Sequence, residues 1–316
     1  MSIKTILVTG GSGLVGKALR KLKNDYFMIF LDSKMCDLRN YNETLLVFKE
    51  INPYAIIHLA ACVGGLYKNM SQKVTMLEDN LLINTHVIKA AHESNVQTVI
   101  ACLSTCVFPE ENNRCVFPES VSGLLDERLL HSGPPHPSNE GYAYAKRIMD
   151  THCKVYRETF DRRYFCIIPT NIYGPHDNFH LEDAHVIPAL IHKCYLAKKA
   201  NIPFEIRGTG KPLRQFVYSI DLAHIIIELL NSTVNENIII SPENVYSIYN
   251  VAEIIYSLFE MKNGLITNEE FSDGQYQKTV HTSKLKEIIS FEFTPLTKGI
   301  QETVEWFLNN YNFIRK

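Results

Sequence analysis

Tyr142 and Lys146 stand four residues apart in Gly141-Tyr142-Ala143-Tyr144-Ala145-Lys146, so on a helix both project from one face. A phenol beside an ammonium can donate a proton to a carbonyl oxygen as hydride reaches its carbon. The cation favours the phenolate and is expected to lower the Tyr142 pKa. Ser104, in Leu103-Ser104-Thr105-Cys106, follows an apolar run and is placed to hydrogen-bond the same oxygen. Taken singly, such a Tyr/Lys spacing arises by chance in a chain this rich in both, and a lone serine is as readily a turn or helix cap. The surrounding elements give them their weight.

Carbonyl reduction needs a hydride carrier, and the N-terminus offers a seat for one. Gly10-Gly11-Ser12-Gly13-Leu14-Val15-Gly16 follows the apolar run Ile3 to Thr9 directly and opens a helical pattern. Glycines there let the backbone turn tightly and approach a pyrophosphate, which the amides and dipole of the helix N-terminus stabilise. A glycine-rich turn without a ligand is the competing reading, and its place between strand and helix argues against it. At the end of the second apolar run, Asp32 suits a ribose 2'-hydroxyl whereas Lys34 suits a 2'-phosphate. The balance favours NADP(H) over NAD.

The elements that must hold these residues alternate. Strands are expected at Ile3 to Thr9, Phe27 to Leu31, Ala55 to Leu59, Thr98 to Leu103 and Tyr164 to Ile168, since buried parallel strands are continuously apolar. Helices are expected at Leu14 to Asn24, Val74 to Ser94 and Tyr142 to Thr159. This alternation predicts an α/β fold, a Rossmann-type doubly wound parallel sheet. Thr105 to Gly141 is too rich in Pro and Gly for regular structure, and a loop of that length is usually functional. Beyond Pro169, helical patterns at Val186 to Leu196, Leu222 to Leu230, Val251 to Phe259 and Ile300 to Tyr311 are separated by mixed loops. They predict a cofactor domain over 1–170, its sheet completed from roughly 214–245, and a smaller substrate-binding α/β domain over 171–316.

Composition narrows the partners. With 316 residues, 46% of them hydrophobic, the chain can bury a large core. A net charge of -2 without a basic run gives no footprint for nucleic acid or an anionic membrane. No apolar run is long enough to span a bilayer or to serve as a signal peptide, which predicts a cytoplasmic protein. The eight cysteines lack the paired spacing of a zinc site, so no metal is expected. Each is by default a small buried hydrophobe.

The glycine-rich segment, His58-Leu59-Ala60-Ala61-Cys62-Val63-Gly64-Gly65, Leu103-Ser104-Thr105-Cys106, the Tyr142 to Lys146 segment, and Pro169-Thr170-Asn171-Ile172-Tyr173-Gly174-Pro175-His176-Asp177-Asn178-Phe179 together resemble the GDP-L-fucose synthases. These are extended short-chain dehydrogenases that act as GDP-4-keto-6-deoxy-D-mannose epimerase/reductases, and the likeness spans nearly the whole chain. Ser-Thr-Cys and the Pro-Thr-Asn to Asp-Asn-Phe run are its most specific parts. The resemblance implies 3,5-epimerisation followed by NADPH-dependent reduction at C4. It makes Cys106 and His185 the base and acid of the epimerisation, beside Ser104, Tyr142 and Lys146. A thiolate needs support, and Lys146 and the nicotinamide are the expected sources.

The resemblance extends the cofactor site to Ser33, Lys34, Asp37, Leu38, Leu59, Ala60, Ala61, Pro169, Thr170, Asn171, Ile172 and His185. For the substrate it implies Asn171, Lys193, Arg207, Arg214 and Asp273. Arg207 departs from the tryptophan the family commonly carries there, so a stacking contact is in question. A homodimer through the long helices after the third and fourth strands is implied as well. Two other readings remain. A 4-epimerase or 4,6-dehydratase on the same scaffold would not need Cys106 and His185. A dinucleotide sensor without catalysis would tolerate loss of Tyr142 or Lys146.

Overall fold

The computed structural model describes residues 3–110, 124–273 and 275–315. In chain order the first elements are β1 (Thr5–Thr9), α1 (Leu14–Lys21), β2 (Phe27–Leu31), α2 (Tyr41–Ile51), β3 (Ala55–His58), α3 (Leu66–Ser71), α4 (Lys73–Glu93), β4 (Thr98–Cys102), α5 (Glu140–Phe160) and β5 (Arg163–Pro169). There follow β6 (Asn171–Tyr173), α6 (Val186–Ala200), β7 (Phe204–Arg207), β8 (Leu213–Arg214), β9 (Phe216–Tyr218), α7 (Ser219–Asn231) and β10 (Ile238–Ile240). Last come β11 (Tyr246–Ser247), α8 (Ile248–Leu258), β12 (Leu265–Asn268), β13 (Gln277–Lys278), α9 (Ser283–Ile288) and α10 (Leu296–Asn310).

Six strands form one sheet in the order β10-β5-β4-β3-β1-β2, every pair parallel. This is the doubly wound sheet the alternation predicts. Because successive residues of a strand face opposite sides, its apolar runs split into two cores. Leu7, Ile56, Val99, Cys166 and Ile168 pack with Phe48 of α2, Val87 of α4 and Met149 of α5. Ile6, Val8, Ile57, Ile100, Phe165 and Ile167 pack with Leu19 of α1 and Leu222, Ile226 and Leu229 of α7. A third core gathers Ile187 and Ile191 of α6, Val251 and Ile255 of α8, and Ile300, Val304 and Phe307 of α10 around Tyr173 and Phe179.

Several bounds differ from the sequence reading. Ile3 is 72% exposed and the first strand starts at Thr5, while α1 ends at Lys21 rather than Asn24. Helix α2 was not legible from periodicity; it is bracketed by Asn40, whose side chain accepts from the Glu43 amide, and by Asn52 in the left-handed conformation. Part of the Thr105 to Gly141 segment, including Pro118 and Gly123, lies outside the described residues. The rest winds into short 3-10 turns at Thr105–Val107, Glu127–His131 and Pro137–Asn139, burying Leu125, Leu129 and Leu130. Leu125 exchanges backbone hydrogen bonds with Thr279 and His281, which ties this segment to the strand carrying Lys278.

At Gly16 a Cβ would lie 2.6 Å from the Gly10 carbonyl oxygen and 2.7 Å from Gly11 Cα. Ordinarily Gly to Ala within a helix gains about 1 kcal/mol. Here the overlap is with backbone, and such overpacking costs about 1–3 kcal/mol. Gly16→Ala is therefore expected to lower stability in thermal or urea unfolding; a variant more stable than the parent would contradict this packing.

Candidate active site

One cleft of about 870 Å³ runs along the carboxyl ends of the strands, where ligands of open α/β sheets bind. Gly10, Ser12, Gly13, Leu14, Val15 and Gly16 form its floor at one end. Gly10 takes a φ of +70°, and a Cβ there would sit 2.7 Å from the Ala60 nitrogen. Gly11 faces away: its amide donates to the Leu31 carbonyl and a Cβ would meet Phe30, so it holds β1 to β2 and does not line the cleft. Gly13 is the N-cap of α1 and offers no side chain to the first turn. The orphan amides of that turn therefore open on the cleft, a donor set that fits a dinucleotide pyrophosphate.

The rim beyond β2 includes Asp32, Ser33, Asp37 and Leu38, but not Lys34. Asp32 Oδ1 accepts from the Lys34 amide at 2.9 Å, so the carboxylate shapes the turn that carries the lysine past the cleft. The cation lining this rim is Arg39, which the sequence reading did not single out; it pairs with Asp37 at 2.9 Å and with Asp79 at 3.4 Å. Leu59, Ala60 and Ala61 after β3, and Pro169, Thr170, Asn171 and Ile172 after β5, close the two flanks. The β3 turn is fixed by Asn80, whose side chain bonds both the amide and the carbonyl of Cys62 at 2.9 Å.

Ser104, Cys106, Tyr142, Lys146 and His185 all line the same cleft. Lys146 is buried at 2% exposure, and its Nζ donates to the Cys102 carbonyl at 2.8 Å. It lies 5.7 Å from the centre of the Tyr142 ring. The expected depression of the Tyr142 pKa is not what the structure gives: burial drives the phenol well above its usual value, and the neighbouring thiols of Cys106, Cys102 and Cys62 add to it. The same burial pushes Lys146 down. Each group is thus held toward its neutral form, because desolvation penalises whichever form is charged.

Cys106 sits in the 3-10 turn after β4, which Ser104 caps by accepting from the Cys106 amide at 3.4 Å. Arg147 anchors that turn from α5, donating from Nε to the Val107 carbonyl at 2.7 Å. Burial raises the Cys106 thiol; the cations that oppose it are Lys278 first, then Lys146 and Arg147, with a hydrogen bond from Ser104 beside them. Sequence reasoning proposed Lys146 and missed Lys278, which reaches the cleft from β13 more than 130 residues later in the chain, a separation that follows from the numbering. No local spacing could signal it.

Behind the dyad, His58 bridges four elements. Its Nδ1 lies 2.8 Å from Thr9 Oγ1 and its Nε2 lies 3.1 Å from Asn84 Oδ1, while Asn84 donates to the Ala145 carbonyl. Burial, reinforced by Lys146, lowers His58 to about 3, so it is neutral and spans β1, β3, α4 and α5 as a structural hydrogen-bonding link.

The expected substrate contacts divide. Asn171 and Arg214 line the cleft. Arg214 is directed by donation to the Gln275 carbonyl at 2.6 Å and the Tyr276 carbonyl at 3.2 Å. Lys193, Arg207 and Asp273 are not part of the lining. Arg207 pairs with Glu182 at 3.3 Å and lies 4.7 Å from the Phe271 ring centre, so the guanidinium does stack on an aromatic ring. Burial and the charge of Arg207 lower Lys193. Asp273 accepts from the Thr209 amide at 3.0 Å and hydroxyl at 2.6 Å, bracing the Gly208 to Gly210 turn; Gly274 lies outside the described residues. Among the described residues, no group of three or more His, Cys, Asp or Glu is placed to hold a metal ion, and no helix is long and apolar enough to cross a membrane.

Residues 6–252 match the NAD dependent epimerase/dehydratase family. The chain is similar over its whole length to the GDP-L-fucose synthase of Dictyostelium discoideum, at 46% identity over 324 residues that cover 100% of this chain and 98% of that protein. To the probable GDP-L-fucose synthase of Drosophila melanogaster it is 41% identical, covering 99% of this chain and 100% of the relative. Among solved structures, the GDP-L-fucose synthetase of Naegleria fowleri bound to NADP superposes with a TM-score of 0.88 at 39% identity, covering 99% of this chain and 95% of that one.

Because Lys278 leads the cations that favour the Cys106 thiolate, Lys278→Met should raise the thiol further and leave less thiolate at a given pH. Alkylation of Cys106 by iodoacetamide at pH 8, followed by peptide mass spectrometry, is expected to slow about three- to tenfold. An unchanged rate would show that Lys278 does not act on the sulfur.

Proposed function

The chain belongs to the GDP-L-fucose synthases within the NAD dependent epimerase/dehydratase family, and from that premise we infer that it converts GDP-4-keto-6-deoxy-D-mannose to GDP-L-fucose with NADPH. The observation that carries this reading is the gathering of the α1 N-terminus, the Tyr142/Lys146 dyad, Cys106 and His185 in one cleft. A simple reductase or a 4-epimerase has no use for the last pair.

NADPH, when bound along the floor, supplies hydride to the C4 carbonyl carbon. Gly13, Leu14 and Val15 would hold its pyrophosphate, Ser33 and Arg39 the adenosine end, and Lys146 the nicotinamide ribose. The chain's own chemistry comes earlier and later. The C4 ketone acidifies the protons at C3 and C5; Cys106 Sγ removes one from a ring face and His185 returns one on the other, so each epimerisation conserves protons. Ser104 Oγ then holds the C4 oxygen while Tyr142 Oη gives it the proton that balances the hydride. A raised phenol pKa keeps that proton in place until negative charge develops on the substrate oxygen. A raised thiol pKa makes Cys106 a scarce but strong base. Asn171 and Arg214 contact the sugar nucleotide within the cleft, and Lys193, Arg207 and Asp273 serve its outer end. The same reading places the protein in the reducing cytoplasm, which keeps Cys106 a free thiol.

Incubation with GDP-4-keto-6-deoxy-D-mannose and NADPH should yield GDP-L-fucose, identified by mass and NMR. Tyr142→Phe should abolish NADPH oxidation while solvent deuterium still enters the sugar; Cys106→Ala should cut that incorporation by about 10²-fold or more. NADPH binding without turnover in the parent would favour the non-catalytic reading instead.

We further propose that two copies pair through α4 and α5. Val74 and Leu82 on α4, with Tyr144, Ile148 and Val155 on α5, present apolar side chains between 38% and 65% exposed along adjacent helices, an apolar face of the kind that marks an interface. Light scattering should give twice the chain mass, and Ile148→Asp should give the monomer. A monomeric parent at tens of micromolar would dispose of this interface.

A further inference from the structure

Asp177 stands in the turn that leads from β6 to α6. The turn is held by His176 at a φ of +73°, uncommon for a residue with a side chain, and by the Asp177 amide, which reaches the Gly174 carbonyl at 3.3 Å. Asp177 is buried at 7% exposure and lines the cleft. Its Oδ1 accepts from the Asn178 amide at 2.7 Å. Its Oδ2 is buried with no hydrogen-bond partner among the described residues. A buried carboxylate oxygen left unpaired is costly, and such costs concentrate where a site uses them. His185 stands eight residues on at the N-cap of α6, lines the same cleft and makes no side-chain capping bond.

We propose that Asp177 is a positioning residue for His185: its carboxylate orients the imidazole and stabilises the protonated ring that returns the proton to the sugar during epimerisation. This rests on the functional reading above. The ionisable groups that face Asp177 are His185 and, on the C-terminal segment, Arg315, which also lines the cleft and whose backbone carbonyl accepts from the Phe179 amide. Burial raises the carboxyl to about 6, opposed by His185 first, then by the Asn178 amide and Arg315. Above that value the group is an anion, so at neutral pH it carries the charge an imidazolium needs. The proposal extends to the acid His185 the logic of a catalytic side chain steadied by a third group, here through charge, with Oδ2 the atom left unpaired for it. One proton leaves the carbon for Cys106 and a second is returned to the same carbon by His185, with Asp177 neither gaining nor losing one.

The test follows deuterium entry from solvent into GDP-4-keto-6-deoxy-D-mannose, with NADP+ filling the cofactor site and no reductant. Asp177→Asn keeps the shape and removes the charge, and is measured alone and in a His185→Ala background. Alone it is expected to slow exchange at least tenfold; in the His185→Ala background it should add nothing. Thermal stability should be equal or higher, since an unpaired buried charge is gone. Equal losses in both backgrounds, undiminished exchange, or a variant that unfolds would each overturn the proposal. No exchange in the parent protein would overturn the functional reading and this inference together, whereas normal exchange in both parent and Asp177→Asn would overturn the inference alone.

Discussion

The site depends on one ammonium taken out of water. Lys146 Nζ is seated on the Cys102 carbonyl at the carboxyl end of β4, and a buried cation survives only with such a partner. From that point its charge reaches the groups around it. It helps drive His58 neutral, opposes the rise of Cys102 and Cys106, and lies across from the Tyr142 ring. The cation also ties α5 to the sheet, so the helix that carries Tyr142 cannot slide without breaking the contact that keeps the ammonium bound.

Around that contact the fold uses buried hydrogen bonds to fix loops that apolar packing alone would leave loose. His58 and Asn84 register α5 against β1 and β3. Arg147 holds the Cys106 turn and Asn80 holds the Cys62 turn. Such networks specify one arrangement best when their members are satisfied; Arg147 Nη2 is one buried atom left without a partner among the described residues. Among the described cleft-lining residues Asn69 Oδ1, Asn139 Oδ1 and Asp177 Oδ2 are buried without a partner, and of these three Asp177 alone is a carboxylate, which is why it reads as a working group and not as scaffold.

How much of this was legible followed from distance along the chain. The parallel strands could be read because each is a continuous apolar run, and the dyad and glycine turn because their spacing is local. Helix α2 was hidden: it buries only Thr44 and Phe48 fully, too narrow a stripe to show as period. Cys106 and His185 had no local signal, and only a whole-chain resemblance singled them out. Arg39 and Lys278 were missed because their role is a matter of where distant segments meet. The direction of the Tyr142 pKa shift, though not its role as the proton donor, was misjudged for a related reason, since spacing reports the neighbouring lysine but not the desolvation around the phenol.

Two cores therefore have to meet before the site exists. The turn after β4 contributes Ser104 and Cys106 and α5 contributes Tyr142 and Lys146, whereas His185 belongs to the start of α6, whose apolar side packs in the third core. What joins them is specific. Gly65 donates to the Asp183 carbonyl, and a Cβ on it would stand 2.8 Å from the Ala184 carbonyl oxygen, so the β3 turn touches the segment leading to His185 at a distance only glycine permits. Across the cleft, Gln215 accepts from the Val280 amide through its side chain and from the Asn171 side chain through its carbonyl, registering β13 and Lys278 against β6. Chemistry on both faces of one sugar ring needs groups approaching from two directions. A single sheet edge offers one, and the second core supplies the other.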